Sequence, residues 1–354
     1  MDLYSNDLYL EDISYVAGLG LPWEKLQGKG VLISGATGML GSFLVDVLME
    51  KNTAGLGCTV YALSRNAQKA SERFSKWTDD PHLQFIPYDI TKPFVRSDLG
   101  TVDYVIHMAS KTHPMQYSTD PIGTITTNII GLQNMLDFAV DHNAARVAFI
   151  SSNEIYGENR GDAELFGEDY CGYINSNTMR AGYPESKRCG EALCQAYMAQ
   201  KGLDVVIPRP TRSYGPTMLM SDTKAISQFV KKGIAGEDIV LKSAGMQFYS
   251  YTYVADAVSG LLTVILKGER GEAYNIADER SDITLKDLAA TIAGIAGKKV
   301  VFELPDAVEA AGYSTATKAR LDGSKLKKLG WDAKYDIQSG MERTIAILKS
   351  GEQI

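Results

Sequence analysis

Residues 30–41 read GVLISGATGMLG, an apolar run that leads into a glycine-rich turn. The apolar run predicts a buried β-strand, and residues 43–49 predict a helix directly after the turn. Glycines let the backbone bend sharply and approach phosphate oxygens, while a helix N-terminus offers free N–H groups and the positive end of its dipole. The stretch therefore predicts a strand, a turn and a helix that bind the pyrophosphate of a dinucleotide.

Tyr183 and Lys187 lie four residues apart in a stretch of helical character. This spacing puts both side chains on one face of a helix, where an ammonium beside the phenol favours the phenolate. With Ser152 as a hydroxyl partner, the pair predicts a site that takes a proton from an alcohol during hydride transfer.

Strands and helices alternate through the first two thirds of the chain, which predicts an α/β fold with a doubly wound parallel sheet. Further strands are predicted at 60–63, 102–106 and 147–150, and later helices at 222–235, 285–297 and 338–348. The predicted parts are an N-terminal extension with a short amphipathic helix (1–28), a dinucleotide-binding domain (29–210) and a smaller C-terminal α/β lobe (211–354). The lobe mainly binds substrate and is interleaved with the domain before it.

The composition excludes several classes of partner. The formal net charge is −7, whereas nucleic acids and anionic membranes are bound by basic surfaces. No run of 18 apolar residues is present and the first residues are acidic, so we expect a cytoplasmic protein. The four cysteines show no C-x-x-C spacing and the four histidines are scattered, so we expect reduced thiols and no bound metal.

These motifs, in this order, resemble the extended short-chain dehydrogenase/reductase family, in its branch of sugar-nucleotide epimerases, 4,6-dehydratases and UDP-glucuronate decarboxylases. The resemblance runs from about residue 30 to about residue 347. Further matching segments are YDI at 88–90, HMAS at 107–110, TN at 127–128, SSNEIYG at 151–157, YGP at 214–216, YVAD at 253–256 and LGW at 329–331. The decarboxylases are the most similar, through segments 107–110, 121–124, 180–183 and 215–220.

The resemblance implies a Rossmann-type fold and a set of residues that bind the cofactor. These are Gly35, Thr37, Gly38, Met39, Leu40, Gly41, Ser64, Arg65, Asp89, Ile90, Met108, Ala109, Ser110, Asn128, Tyr183, Lys187 and Pro210.

The resemblance also implies four catalytic residues. Tyr183 takes the proton from a sugar hydroxyl, and Ser152 hydrogen-bonds to the same oxygen. Lys187 holds the nicotinamide ribose and tunes Tyr183. Glu154 acts beside a transient 4-keto sugar, and this scheme needs no metal.

Ser64 and Arg65 stand where the second strand ends, the position that distinguishes NAD from NADP. A hydroxyl followed by a guanidinium suits a 2′-phosphate, so the local chemistry slightly favours NADP. The decarboxylases and dehydratases that the chain resembles usually hold NAD, and Arg65 has the alternative role of stacking on adenine.

The implied substrate-binding residues are Ser152, Asn153, Glu154, Arg212 and Tyr249. Two of them depart from the family pattern, because Arg212 stands in place of an Asn that touches the sugar nucleotide and Tyr249 in place of an Arg that binds a phosphate. Either Arg212 supplies the anion contact from a new position, or both residues have drifted without consequence.

The leading hypothesis is NAD(P)-dependent decarboxylation or epimerisation of a nucleotide-linked sugar. A 4,6-dehydratase is disfavoured because Asn153 occupies the place of an acidic proton donor. The alternatives are a net NADPH-dependent carbonyl reductase on a phosphorylated or nucleotide-linked sugar and, last, a non-catalytic dinucleotide-binding regulator. The resemblance further implies a homodimer formed through helices at 122–142 and 183–201.

Overall fold

The computed structural model describes residues 2–112, 114–303 and 317–351, and a seven-stranded sheet forms its centre. All neighbouring strands of this sheet run parallel, in the order β10-β6-β5-β4-β1-β2-β3. Their bounds are β1 Gly30–Ser34, β2 Thr59–Ser64, β3 Leu83–Pro87, β4 Tyr104–His107, β5 Arg146–Phe149, β6 Val205–Pro210 and β10 Ala273–Ile276. The predicted doubly wound parallel sheet is confirmed.

The central strands are mostly apolar because helices cover both faces of the sheet, and their polar residues, such as Ser34, His107 and Arg209, stand at or near their carboxyl ends. Every residue of β1, β4 and β6 is buried. The order of the strands changes direction between β1 and β4, so the carboxyl ends of these two strands open a crevice. The glycine turn leaves β1 at that crevice.

The helices predicted at 43–49, 222–235, 285–297 and 338–348 are present, whereas those at Ala67–Arg73, Pro114–Thr119 and Val254–Lys267 were not predicted. Their bounds are α1 Asp7–Ala17, α2 Met39–Thr53, α3 Ala67–Arg73, α4 Pro114–Thr119, α5 Pro121–Asp141, α6 Gly182–Lys201, α7 Ala225–Ile234, α8 Val254–Lys267 and α9 Leu285–Ala296, with a single turn at Ser324–Lys327 and a C-terminal helix at Ile337–Ser350. Within the described ranges, none of these helices is both long and apolar enough to cross a bilayer.

The second half of the chain builds a smaller lobe and also returns to the large sheet. Four short strands form one lobe sheet around β9, and two form another. Their bounds are β7 Arg212–Tyr214, β8 Ile239–Leu241, β9 Phe248–Tyr253, β11 Asp282–Thr284, β12 Val300–Phe302 and β13 Lys318–Ala319. Because β10 pairs with β6, the chain crosses from the lobe back to the large sheet. Parts of the predicted lobe, residues 304–316 and 352–354, lie outside the described residues.

The N-terminal segment, residues 2–17, is attached to the large sheet through one buried carboxylate. Asp46 on α2 accepts hydrogen bonds from the hydroxyls of Tyr4 (2.6 Å) and Tyr9 (2.5 Å) and from the indole of Trp77 (3.2 Å). It also pairs with the guanidinium of Arg73 at 2.5 Å. The predicted amphipathic helix therefore packs on the body of the molecule through charge as well as through apolar contact.

A second buried carboxylate attaches the same segment to the lobe. Asp12 on α1 accepts hydrogen bonds from the hydroxyls of Tyr253 (2.5 Å) and Tyr335 (2.8 Å), and it lies 3.0 Å from Nε of Arg343. Burial raises the pKa of Asp12, although these partners act in the opposite direction. Helix α1 thus bridges the large sheet and the lobe.

Replacing Asp46 by Asn tests the first of these attachments. The substitution leaves the buried guanidinium of Arg73 without its counter-charge, so we expect the free energy of unfolding to fall by about 3–5 kcal/mol in urea titrations. The control is Glu50→Gln on the same helix. Glu50 forms a partly exposed ion pair with Lys76 at 3.5 Å, and the loss of this pair should lower the free energy of unfolding by less than about 1 kcal/mol. Equal losses in the two variants would contradict the assignment.

Candidate active site

The glycine turn is in direct contact with the end of β4. Gly35 has a φ of +75°, and a Cβ atom on it would lie 2.8 Å from the backbone nitrogen of Ala109. A Cβ atom on Gly41 would collide with the carbonyl oxygen of Gly35. Only glycine fits at these two positions, and the contact brings together three of the residues predicted to bind the cofactor.

Helix α2 begins at Met39 with no side chain bonded to its first N–H groups, because its N-cap residue is Gly38. An uncapped helix N-terminus beside a glycine turn fits the pyrophosphate of a dinucleotide. The crevice floor is fixed by the hydroxyl of Ser34, which accepts hydrogen bonds from the backbone N–H groups of Met108 (3.2 Å) and Ala109 (3.3 Å). The residues present therefore fit NAD(P).

The predicted adenosine end lies at the carboxyl ends of β2 and β3. The Ser64 hydroxyl is 3.2 Å from that of Thr37 in the glycine turn, and Arg65 is exposed. Hydrogen bonds from Thr91 lower the pKa of Asp89, and the charge of Arg65 adds a smaller effect in the same direction. Arg65 and Asp89 are thus within electrostatic reach of each other.

Tyr183 is buried at the N-terminal end of α6, where only 6% of its surface is exposed. Burial raises its pKa well above the usual value, and the carboxylate of Glu154 raises it further. Hydrogen bonds with Ser152 and Ser110 and the positive charge of Arg180 act in the opposite direction. The phenol is consequently protonated at neutral pH in this state.

Polar contacts connect Tyr183 with residues predicted to bind the cofactor. The Ser110 hydroxyl donates to the Asn128 amide oxygen (2.7 Å), and the Asn128 amide nitrogen donates to the Ser186 hydroxyl (2.8 Å). Ser186 donates in turn to the backbone carbonyl of Tyr183 (2.8 Å). The end of β4, helix α5 and the start of α6 are therefore held in one arrangement.

The ammonium of Lys187 is bonded to the protein backbone in this structure. Its ammonium donates a 2.7 Å hydrogen bond to the backbone carbonyl of Ile150 and lies 4.8 Å from the ring centre of Phe149. Burial lowers its pKa to about 7, partly offset by Glu191. The five largest effects on the pKa of Tyr183 do not include Lys187, and those that lower this pKa come from Ser152, Arg180 and Ser110.

Glu154 has a partner that the sequence analysis did not assign. Its carboxylate lies 2.9 Å from the guanidinium of Arg180, which also covers the ring of Tyr117 at 4.9 Å. The Tyr117 ring is stacked on that of Tyr183, with ring centres 4.9 Å apart. Sequence reasoning could have identified Arg180 from its position three residues before Tyr183.

A buried ion pair supports the turn that carries Ser152 and Glu154. The carboxylate of Glu191 on α6 accepts from Arg209 on β6 at 2.9 and 2.6 Å and from the Ser151 hydroxyl at 2.5 Å. Arg209 also donates to the hydroxyl of Tyr156 at 2.8 Å. Both ends of the turn from 151 to 156 are thereby attached to this pair.

The remaining predicted residues occupy two places. Asn153 is buried in the 3-10 turn Asn153–Tyr156, and Pro210 ends β6 beside Arg209. Arg212 and Tyr249 lie against each other in the lobe, on β7 and β9. The structure therefore groups the predicted catalytic residues with the glycine turn. Arg212 and Tyr249, the two residues that depart from the family pattern, lie together in the lobe.

Comparisons with known proteins agree with this geometry. Residues 31–277 match the model of the NAD dependent epimerase/dehydratase family. The chain is 32% identical to UDP-glucuronic acid decarboxylase 3 of Arabidopsis thaliana over 88% of this chain and 86% of that protein. It is 30% identical to UDP-glucuronic acid decarboxylase 1 of Xenopus tropicalis, over 90% and 71%. The structure of dTDP-glucose 4,6-dehydratase from Streptomyces venezuelae, with NAD bound, superimposes with a TM-score of 0.78 at 25% identity, over 92% of this chain and 98% of that one.

Replacing Lys187 by Met tests the energetic cost of its burial. Below pH 7 the lysine is charged in the folded and unfolded states, and the folded state carries the full desolvation cost. Between about pH 7 and 10.5 only the unfolded state keeps the proton, so the wild-type protein gains stability as the pH rises. We expect the variant to be more stable by about 1–4 kcal/mol at pH 6, with a gap that narrows towards pH 10.

Urea unfolding at pH 6, 8 and 10 measures this gap. Lys201→Met, at an exposed position at the end of the same helix, is the control and should change stability little at any pH. If the difference in unfolding free energy between Lys187→Met and the wild type did not change with pH, the assignment of the low pKa of Lys187 to burial would be contradicted.

Proposed function

The chain belongs to the NAD dependent epimerase/dehydratase family, and we propose that it modifies a nucleotide-linked sugar through a transient 4-keto form. Decarboxylation of a nucleotide-linked uronate is the first candidate reaction, and epimerisation is the second. The observation that carries the proposal is the meeting of Tyr183, Ser152 and the Glu154–Arg180 pair beside the glycine turn.

The cofactor is NAD(P), and residues 29–210 are proposed to bind it while residues 211–354 mainly bind the substrate. The exposed Arg65 beside Ser64 supports a slight preference for NADP. The NAD in the related dehydratase structure supports the opposite choice. The dinucleotide released from the purified protein decides between them.

Tyr183 takes the proton from the C4 hydroxyl of the sugar, and Ser152 hydrogen-bonds to the same oxygen. Oxidised NAD(P), when bound, supplies the hydride acceptor at C4 and a positive charge that favours the phenolate. The hydroxyls of Ser152 and Ser110 and the charge of Arg180 lower the cost of that phenolate. Lys187 is proposed to hold the cofactor ribose near Tyr183, and for this its ammonium must leave the carbonyl of Ile150.

The C4 ketone makes a C5 carboxylate a β-keto acid. The C5–C6 bond breaks, CO2 leaves, and the electron pair moves onto the C4 oxygen as an enolate, which the hydroxyls of Tyr183 and Ser152 stabilise. Solvent water would supply the proton at C5, and C4 would regain the hydride removed in the first step while Tyr183 returns its proton to the C4 oxygen. Arg180 is positioned to attract the anionic uronate towards Tyr183, while its pairing with Glu154 keeps that carboxylate next to the reacting carbons.

Other reactions on the same scaffold have weaker support. Elimination of water needs an acid where Asn153 supplies only an amide. Net reduction by NADPH draws support from Arg65 but needs free exchange of the cofactor. A non-catalytic regulator has no use for a tyrosine buried against two serine hydroxyls and an ion pair.

The test is to denature the purified protein, identify the released dinucleotide by mass spectrometry, and incubate the native protein with UDP-glucuronate. We expect near-stoichiometric oxidised NAD or NADP, and CO2 together with a UDP-pentose. Tyr183→Phe should keep the cofactor and lower kcat by about 10²–10⁴-fold, because the proton acceptor is gone.

Tyr197→Phe on the same helix is the control, since this tyrosine bonds to Asp137 on α5 rather than to the site, and its kcat should be unchanged. An empty protein that consumes added NADPH would replace this proposal by the net reductase. Turnover without loss of CO2, giving an isomer of the substrate, would move epimerisation to first place.

We further propose that the protein acts in the cytoplasm as a homodimer. Its four cysteines stand as separate thiols, which suits a reducing compartment. Helices α5 and α6 pack side by side, and Ile122, Ile125 and Ile130 on α5 are 76%, 37% and 42% exposed. An apolar face of this kind suits burial against a second copy.

We expect light scattering to give about twice the 38.6 kDa mass of one chain. Ile125→Glu should shift the protein towards the monomer, because it places a charge inside the proposed interface. Val95→Glu changes an apolar residue that is 82% exposed elsewhere, and it should leave the mass unchanged. A monomeric wild-type protein would rule out the dimer.

A further inference from the structure

Arg212 and Tyr249 form a stacked pair in the lobe. The guanidinium carbon of Arg212 lies 3.6 Å from the ring centre of Tyr249. The parallel pairing of β7 with β9 sets this contact, because Arg212 is in register with Tyr251, two residues along the strand from Tyr249. Tyr249 is 6% exposed, so its ring gives the guanidinium a fixed, largely buried support.

Among the described residues, one N–H donor of the Arg212 guanidinium has no acceptor. Nη1 of Arg212 is buried and has no hydrogen-bond partner among the described residues. By contrast, Arg209 donates to Glu191, to Tyr156 and to the carbonyl of Glu168. A buried donor without a partner is costly, so its retention points to an acceptor that comes from outside the chain.

The chemistry of the pair selects an oxyanion. Stacking on an aromatic ring occupies the flat face of a guanidinium and leaves its N–H edge for a ligand. That edge matches two oxygens of a phosphate or a carboxylate.

The position of β7 favours a phosphate. The strand begins two residues after Pro210, which ends β6. Just beyond β7, the Thr217 hydroxyl donates to the carbonyl of Met39 at the start of α2 (2.9 Å). Arg212 thus belongs to the connection that joins the lobe to the cofactor crevice. Arg180, by contrast, is paired with Glu154 beside Tyr183, where the sugar is proposed to react.

We propose that Arg212, oriented by Tyr249, binds the diphosphate of the nucleotide sugar, while Arg180 serves the anionic group on the sugar itself. This inference rests on the proposed function. It makes Arg212 a residue that recognises the nucleoside diphosphate in any substrate, whatever sugar is attached.

The test is calorimetric binding of UDP, UDP-glucose and UDP-glucuronate to the wild-type holoprotein and to Arg212→Asn. We expect the substitution to weaken all three ligands to a similar extent, by about 10- to 100-fold, because it removes a charged donor common to all three complexes. Tyr249→Phe keeps the ring and should change the dissociation constants less than about threefold, whereas Tyr249→Leu should weaken binding further because the support is lost.

Arg320→Asn is the matched control, since Arg320 stacks at 4.7 Å on the neighbouring Phe248 of the same strand; its affinities should match the wild type. Thermal unfolding of each variant checks that it is folded. Unchanged binding of UDP to Arg212→Asn overturns the inference, and weakening confined to UDP-glucuronate overturns it in favour of a carboxylate contact. A wild-type protein that binds none of the three ligands instead overturns the proposed function.

Discussion

The ion pair between Glu191 and Arg209 is the contact on which the geometry of the site depends. It joins α6 to β6, and through Ser151 and Tyr156 it fixes both ends of the turn that presents Ser152 and Glu154. A buried pair of this kind is hydrogen-bonded on nearly every side, which offsets the cost of removing two charges from water. The pair therefore fixes the position of helix α6, and with it Tyr183, relative to this turn.

The local features of the sequence were sufficient to predict the fold and to propose the centre of the site. The apolar run at 30–34 and the glycines after it have a single structural solution, in which a side chain on Gly35 would collide with Ala109. The spacing of Tyr183 and Lys187 likewise follows from helix geometry. Such features need only near neighbours in the chain, and both the sheet and the helices that it predicted are confirmed.

The rest depends on contacts between distant residues, which periodicity does not encode. Arg180 and Tyr117 belong to different elements, and only the folded chain stacks one on the other. The contact of Lys187 likewise could not be predicted from helical spacing. The helical spacing places it on the face of Tyr183, but its ammonium instead reaches the carbonyl of Ile150, because that oxygen is a buried acceptor within its reach.

Helix α1 has a consequence for the way the chain is made. Asp12 finds its hydroxyl partners on Tyr253 and Tyr335, which follow it by 241 and 323 residues. During synthesis the carboxylate of Asp12 lacks these two partners until residue 335 has been made, although helix α1 can already pack on α2. Contacts this far apart in sequence close late, since the entropy of a long loop must be lost first. The bridge that α1 makes between the large sheet and the lobe is therefore completed late in folding, and until then the lobe surface that α1 covers stays open to non-native association.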